Sequence, residues 1–107
     1  MVWNKEINLE KINHRSENTA VGNLGIIITG FTIDSLTATM PVDHRTIQPF
    51  QLLHGGASCL LAETLGSIAS NLTLDTSIEM AVGQHIEASH FKSVKNGGMV
   101  KGVATPI

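Results

Sequence analysis

The order of apolar and polar positions predicts two strands, one long helix and two further strands. Residues Leu24–Phe31 are rich in β-branched side chains, which favours a strand. Residues Leu36–Val42 alternate between apolar and polar positions, as in a half-buried strand of an antiparallel sheet. Residues Glu79–Val94 and Met99–Thr105 are predicted strands on either side of an Asn-Gly-Gly turn. This order predicts an α+β fold with an antiparallel sheet.

The first 23 residues are predicted to form a lead-in with two short helical turns. Asn8 and Asn18 are the expected N-caps of those turns. The apolar residues expected to fasten the lead-in to the core are Trp3, Ile7, Leu9 and Ile12. At the other end, the strand that begins at Met99 is expected to have an unpaired edge.

The long helix, predicted over residues 56–72, carries a single carboxylate, Glu63, among small and apolar residues. At 100° per residue, Cys59, Gly66, Ser67 and Ser70 fall within about 60° of Glu63. The opposite side carries Leu61, Leu65, Ile68 and Leu72. A carboxylate in so apolar a helix is costly unless it is paired or used. Glu63 is therefore either a buried acid satisfied by a hydroxyl or backbone N–H group, or a general base or nucleophile whose pKa is raised by burial.

A His-Gly-Gly turn, His54-Gly55-Gly56, stands where this helix begins. Glycine lets the backbone approach a ligand closely, and the free N–H groups of a helix start can stabilise a developing oxyanion. The same residues also suit an ordinary loop-to-helix turn. Gln48, six residues upstream in a Pro-containing loop, is by itself an unremarkable exposed amide.

Helix geometry separates the two candidate catalytic groups. Gly55 and Glu63 are eight residues apart, so about 12 Å along the helix axis. A base and an oxyanion donor must both lie within about 3–3.5 Å of the reacting atoms. Two antiparallel helices across a two-fold axis would place Glu63 of one chain near Gly55 of the other. The hypothesis is an active site shared between subunits.

Composition narrows the function classes. The 107 residues, one predicted domain, contain Lys+Arg 7 against Asp+Glu 9, with no basic excess that would favour nucleic acid. No apolar run approaches the roughly 20 residues of a membrane span, and the first residues lack a secretory signal pattern. One cysteine, Cys59, excludes an intramolecular disulfide and suits the cytoplasm. The five histidines form no metal-ligand pattern, so no metal is expected.

The segment QPFQLLHGGASCLLAETLGS resembles the active-site stretch of hotdog-fold acyl-CoA thioesterases, in particular the bacterial branch acting on 1,4-dihydroxy-2-naphthoyl-CoA and other aryl-CoA esters. The flanks LTATMPVDHRTIQPF and MAVGQHIEASHFKSV resemble it as well. The resemblance implies an antiparallel sheet wrapped around a central helix, assembly as a homodimer or homotetramer, no cofactor beyond the coenzyme A of the substrate, and a place in menaquinone biosynthesis. Members of this family continue for two more strands, so the domain at residues 1–107 is expected to be incomplete at its C-terminus.

The resemblance also implies a role for each candidate residue. Glu63 would be the nucleophile or the base that activates water, and the Gly55 N–H would bind the thioester oxygen. His54 and Gln48 would orient the substrate, the water or the departing thiolate. The substrate-binding residues would be Gly56, Ser67, His90 and Lys92, of which His90 and Lys92 match positions near the coenzyme A surface.

Three alternatives remain open at this stage. The chain could be a non-catalytic remnant or an acyl-CoA binding module. It could be a hydratase on the same fold. Cys59 and His54 could form a nucleophilic pair, although a small buried residue inside the helix is the expected role of Cys59.

Overall fold

The computed structural model describes residues 3, 5–73, 82–88 and 95–106, and these form one sheet and three helices. Two short helices come first, α1 (Leu9–Ser16) and α2 (Ala20–Asn23). A strand pair follows, β1 (Ile27–Phe31) and β2 (Leu36–Pro41), and then the long helix α3 (Gly55–Thr73). The last described strands are β3 (Val82–Ala88) and β4 (Met99–Pro106). The predicted order of elements and the α+β class are confirmed.

The four strands are antiparallel in the order β1-β2-β4-β3. β4 pairs with β2 from Leu36↔Ala104 to Pro41↔Met99, and with β3 from Val82↔Pro106 to Ala88↔Val100. The expectation that the last strand has an unpaired edge is therefore wrong. Strands β2 and β3, on opposite sides of α3 in the chain, both hydrogen-bond to β4 and enclose it.

One face of the sheet packs against α3 and forms the core. The alternation in β2 is as predicted, with Leu36, Ala38 and Met40 buried and the two threonines between them half-buried. α3 packs against this face through a stripe of buried residues at helical spacing: Ala57, Leu61, Thr64, Leu65, Ala69 and Leu72. Gly102 of β4 lies directly under this stripe, because a Cβ atom there would stand 2.5 Å from Leu65 Cδ1 and 3.4 Å from Leu61 Cγ. The absence of a side chain at Gly102 thus lets α3 approach β4 closely at this point.

The lead-in is fastened to the sheet by polar as well as apolar contacts. Trp3 and Ile12 are buried in the core, as predicted, and the Trp3 indole N–H donates to Thr32 O at 2.7 Å. From α1, Asn13 Nδ2 donates to Ile28 O at 2.9 Å, and Asn13 Oδ1 accepts from Ile28 N at 2.8 Å. These two bonds occupy the N–H and C=O groups of Ile28 on the side of β1 where no described strand pairs with it.

Local turn chemistry agrees with the sequence in part. Asn8 caps α1 as predicted, because its side chain accepts from Lys11 N at 3.1 Å. The N-cap predicted at Asn18 is wrong: Asn18 has a left-handed φ of 61°, and α2 begins after Thr19. In the Asn-Gly-Gly turn only Gly97 adopts a positive φ, at 97°.

Candidate functional site

The side of α3 that faces away from the sheet is small and polar. Cys59, Glu63, Ser67 and Ser70 are exposed there, whereas Gly66 is buried. The prediction that Glu63 and Cys59 are buried is wrong for the single chain, because the apolar stripe of α3 turns both of them outward. Glu63 makes no hydrogen bond or ion pair with the residues that the structure describes. Its carboxylate is therefore free to act on a ligand.

Glu63 lines a depression of about 420 Å³ between α3 and the end of the lead-in. From α3, Leu60, Thr64, Ser67 and Ile68 share this depression with Glu63. From the lead-in, its walls are Arg15, Ser16, Thr19 and Val21. The depression thus brings together one carboxylate, one cation, several hydroxyl groups and three aliphatic side chains. Its size lies in the roughly 300–1,000 Å³ range of small-molecule sites.

The loop between β2 and α3 holds the His-Gly-Gly turn in place through Thr46. The Thr46 hydroxyl is buried and donates to Pro41 O at 2.7 Å, at the end of β2. Thr46 O accepts from His54 N at 2.7 Å. The position of His54 is therefore set by the core strand through one buried threonine.

An ion pair fixes the other side of this loop. Arg45 Nη2 lies 2.6 Å from Asp43 Oδ2, and Arg45 N also donates to Asp43 Oδ1 at 2.9 Å. The side-chain hydrogen bond from Arg45 lowers the pKa of Asp43 to about 2. Asp43 therefore stays ionised at every physiological pH, and the loop keeps this bond.

The His54 side chain has a defined hydrogen-bonding state. Its Nδ1 accepts from Gly56 N at 2.8 Å, so the proton of the neutral ring is on Nε2. The side chain is exposed, and Nε2–H is thus available as a donor. Gly56 leaves room for this arrangement, because a Cβ atom there would stand 3.0 Å from the His54 ring and the ring would have to shift slightly.

Gly55 presents its backbone to open space. It is the first residue of α3, where an N–H group has no acceptor within the helix. Across the described residues, the Gly55 N–H has no hydrogen-bond partner, and a Cβ atom on Gly55 would meet nothing within 4 Å. The N–H of Gly55 and Nε2–H of His54 are two unused donors at one helix start.

Gln48 belongs to the same loop. Its backbone N–H donates to Leu52 O at 2.8 Å, and its side-chain oxygen accepts from Phe50 N. The amide NH2 group is left as a donor. Next to it, Phe50 is 83% exposed, which is unusual for a large apolar side chain.

The predicted site residues therefore fall into two groups on one chain. Glu63 and Ser67 lie in the depression; Gln48, His54, Gly55 and Gly56 lie at the start of α3, and none of these four lines it. His90 and Lys92 lie outside the described residues. Arg15 also lines the depression, but it was not predicted from the sequence. It is one charged residue of the predicted lead-in, and no local pattern distinguishes it.

The described residues carry neither a membrane-spanning helix nor a cluster of metal ligands. No helix in the described part of the chain is both long and apolar enough to cross a membrane. Among residues 3, 5–73, 82–88 and 95–106, no three His, Cys, Asp or Glu side chains are grouped as metal ligands would be.

Sequence comparison shows what this arrangement belongs to. No family model matches the chain. A curated relative, the proofreading thioesterase EntH of Cronobacter sakazakii, is 50% identical over 107 residues, which is 100% of this chain and 77% of the relative. The corresponding thioesterase of Cronobacter turicensis gives the same identity and coverage.

Solved structures agree with these relatives. A thioesterase from Haemophilus influenzae superposes with a TM-score of 0.72 at 36% identity, covering 100% of this chain and 95% of that one. A variant of a thioesterase from Pseudomonas aeruginosa superposes with a TM-score of 0.69 at 32% identity, covering 100% of both chains. The relatives and the shared fold thus identify a thioester hydrolase. The chain belongs to the hotdog-fold thioesterase family.

Proposed function

We propose that the chain hydrolyses aryl- or acyl-CoA thioesters, with Glu63 as the catalytic carboxylate. The observation that carries the proposal is the free carboxylate of Glu63 in a depression with aliphatic walls. The aliphatic walls suit the acyl group, and the carboxylate lies where its thioester carbonyl would enter. No metal or organic cofactor is needed for this chemistry.

Two routes are compatible with the position of Glu63. In the first, Glu63 attacks the thioester carbon, the C–S bond breaks, and water hydrolyses the resulting mixed anhydride. In the second, Glu63 takes a proton from water, and the hydroxide attacks the same carbon with loss of the thiolate. Both routes place negative charge on the carbonyl oxygen before the C–S bond breaks, so both need an oxyanion donor.

The start of α3 supplies the donors in this proposal. The unused Gly55 N–H, at the positive end of the helix dipole, binds the oxyanion. His54 Nε2–H and the Gln48 amide orient the carbonyl or donate toward the departing sulfur. Ser67 supports Glu63 or the acyl group, Gly56 lets His54 take its position, and His90 and Lys92 bind coenzyme A.

We further propose that each site combines residues of two chains in a homodimer or homotetramer. On one chain, two helical turns separate Glu63 from Gly55, and the two groups of residues do not share a depression. The exposed polar face of α3 and the exposed Phe50 supply the surface for a partner. With α3 antiparallel to its copy, Glu63 of each chain reaches Gly55 of the other.

Complementation between two inactive chains tests the shared site. Glu63→Ala and Gln48→Ala chains, differently tagged and co-expressed, should each have low activity as homo-oligomers. A mixed dimer contains one site with both defects and one intact site, so random pairing should restore about a quarter of the wild-type activity. No recovery in purified mixed oligomers would show that each site lies within one chain.

Gly55→Ala should lower kcat/KM for a thioester roughly 10- to 100-fold while leaving the fold intact. The added methyl group meets no atom of the chain and improves helix propensity, but it stands beside the N–H that binds the oxyanion. Steady-state kinetics and thermal melting measure the two effects. Gly30→Ala is the matched control, because a Cβ atom there also meets nothing within 4 Å. Unchanged kcat/KM in Gly55→Ala would remove Gly55 from the site.

The acyl group is proposed only as a class. Leu60, Val21 and Ile68 give the depression aliphatic walls that suit an aromatic ring or a short alkyl chain. 1,4-Dihydroxy-2-naphthoyl-CoA, and with it a role in menaquinone biosynthesis, remains one candidate. A relative is named a proofreading thioesterase, which makes mischarged acyl thioesters a second candidate. A kcat/KM for 1,4-dihydroxy-2-naphthoyl-CoA well above those for benzoyl-CoA and hexanoyl-CoA would support the first candidate, and similar values for all three would count against it.

A further inference from the structure

Arg15 is the cation of the Glu63 depression. It lies in the last turn of α1, and it lines the depression opposite Leu60, Glu63 and Ser67 of α3. Besides Arg15 and Glu63, the residues that line the depression have hydroxyl or aliphatic side chains. Arg15 is exposed, so its guanidinium is accessible to a molecule bound in the depression, and it matches the geometry of a carboxylate.

Arg15 has no such partner in the part of the chain that the structure describes. Its neighbour in α1, His14, lies 3.4 Å from Glu17. Arg45, in the loop between β2 and α3, is paired with Asp43. The side chain of Arg15 makes neither a hydrogen bond nor an ion pair with a described residue, Glu63 included. Its five N–H donors are therefore available to a bound molecule.

We propose that Arg15 is a specificity-determining residue that selects acyl groups bearing an anionic substituent, such as a carboxylate, away from the thioester. This proposal rests on the proposed function, in which the depression holds the acyl group. With the thioester carbonyl at Glu63, an acyl chain or ring lies along Leu60 and Ile68. Its far end then meets Arg15, which can bind a carboxylate through two parallel N–H···O bonds.

Electrostatics favours an anion at the far end and disfavours it elsewhere. A substituent carboxylate close to the thioester would meet the like charge of Glu63, so only a distal one is accepted. The helix dipole is a separate reason for a cation in the last turn of α1, and it predicts an effect of Arg15 on stability alone. Selectivity between matched substrates separates the two roles.

The test compares two substrate pairs of equal carbon number, adipoyl-CoA with hexanoyl-CoA and 4-carboxybenzoyl-CoA with 4-methylbenzoyl-CoA. In the wild-type protein, kcat/KM should be higher for the carboxylated member of at least one pair. Arg15→Met should lower kcat/KM for that member by about tenfold or more and change its uncharged counterpart by less than about twofold. Arg15→Lys should keep part of the preference, because it retains the charge but loses the bidentate contact.

Lys11→Met is the matched control. Lys11 is an exposed cation on the same helix, one turn before Arg15, and does not line the Glu63 depression. Lys11→Met should leave the preference for the carboxylated substrate unchanged. Equal losses on both members of a pair, or a preference that survives Arg15→Met, would overturn the proposal. Thermal melting of each variant identifies a loss that comes from unfolding, and Arg15→Gln then gives a second uncharged variant.

The failure of this proposal is distinguishable from failure of the proposed function. If Glu63→Gln removes turnover of all four substrates while Arg15→Met leaves the preference intact, Glu63 is catalytic and Arg15 is not the selector. If Glu63→Gln retains full turnover, the acyl site itself is wrongly placed.

Discussion

Glu63→Gln should abolish thioester hydrolysis without unfolding the protein. The substitution keeps the shape of the side chain but removes both the nucleophile and the base, so kcat should fall by roughly 10²- to 10⁴-fold or more. Because Glu63 is exposed and has no partner among the described residues, the fold of the variant should be unaffected. Steady-state kinetics with benzoyl-CoA and thermal melting measure the two quantities.

Glu6→Gln is the control for this variant, because Glu6 is also an exposed carboxylate but lies outside the depression. It should retain wild-type kinetics. Retention of kcat in Glu63→Gln would remove the carboxylate from the mechanism. Label found in the Glu63 carboxylate after a single turnover of the wild-type enzyme in ¹⁸O-water would identify the nucleophilic route, because the general-base route never places a water oxygen on Glu63.

Leu61→Ala should lower the free energy of unfolding by about 2–5 kcal/mol. Leu61 is 0% exposed and lies between α3 and β4, against the backbone of Gly102. Truncation leaves a cavity that β4 cannot fill from its side, because Gly102 has no side chain to move into it. Chemical denaturation at fixed protein concentration measures the loss.

Leu60→Ala is the matched control for stability, since Leu60 is the adjacent residue of α3 but is only half-buried. Its truncation should cost clearly less than that of Leu61. Equal costs at the two positions would mean that the sheet and α3 do not pack through the Leu61 stripe.

The elements could be predicted from the sequence because each is encoded locally. The alternation of Leu36–Val42 and the helical spacing of Leu61 and Leu65 follow from backbone geometry alone. The predicted bounds of the helix, residues 56–72, differ from the observed Gly55–Thr73 by one residue at each end. The thioesterase family was also recognisable, because its motif is continuous along α3 and the preceding loop.

What the sequence did not reveal depends on contacts between distant segments. The central position of β4 comes from its pairing with both β2 and β3, which no local pattern encodes. The exposure of Glu63 depends on which side of α3 the sheet covers, and burial was expected because the helix is so apolar overall. Arg15 reaches the depression only because α1 packs against β1 and α2, and α2 packs against α3. The tautomer of His54 depends on a single bond from Gly56.

The pair of hydrogen bonds between Asn13 and Ile28 has a consequence for how the enzyme discriminates among substrates. Asn13 takes the place of a further strand at β1, and it stands two residues before Arg15 on the same short helix. Movement of the α1 wall away from β1 would break two hydrogen bonds between the Asn13 side chain and the Ile28 backbone. Under the proposed function, in which this depression holds the acyl group, a substitution that removes the Asn13 side chain should widen the range of accepted acyl groups and leave a strand edge uncovered in one step.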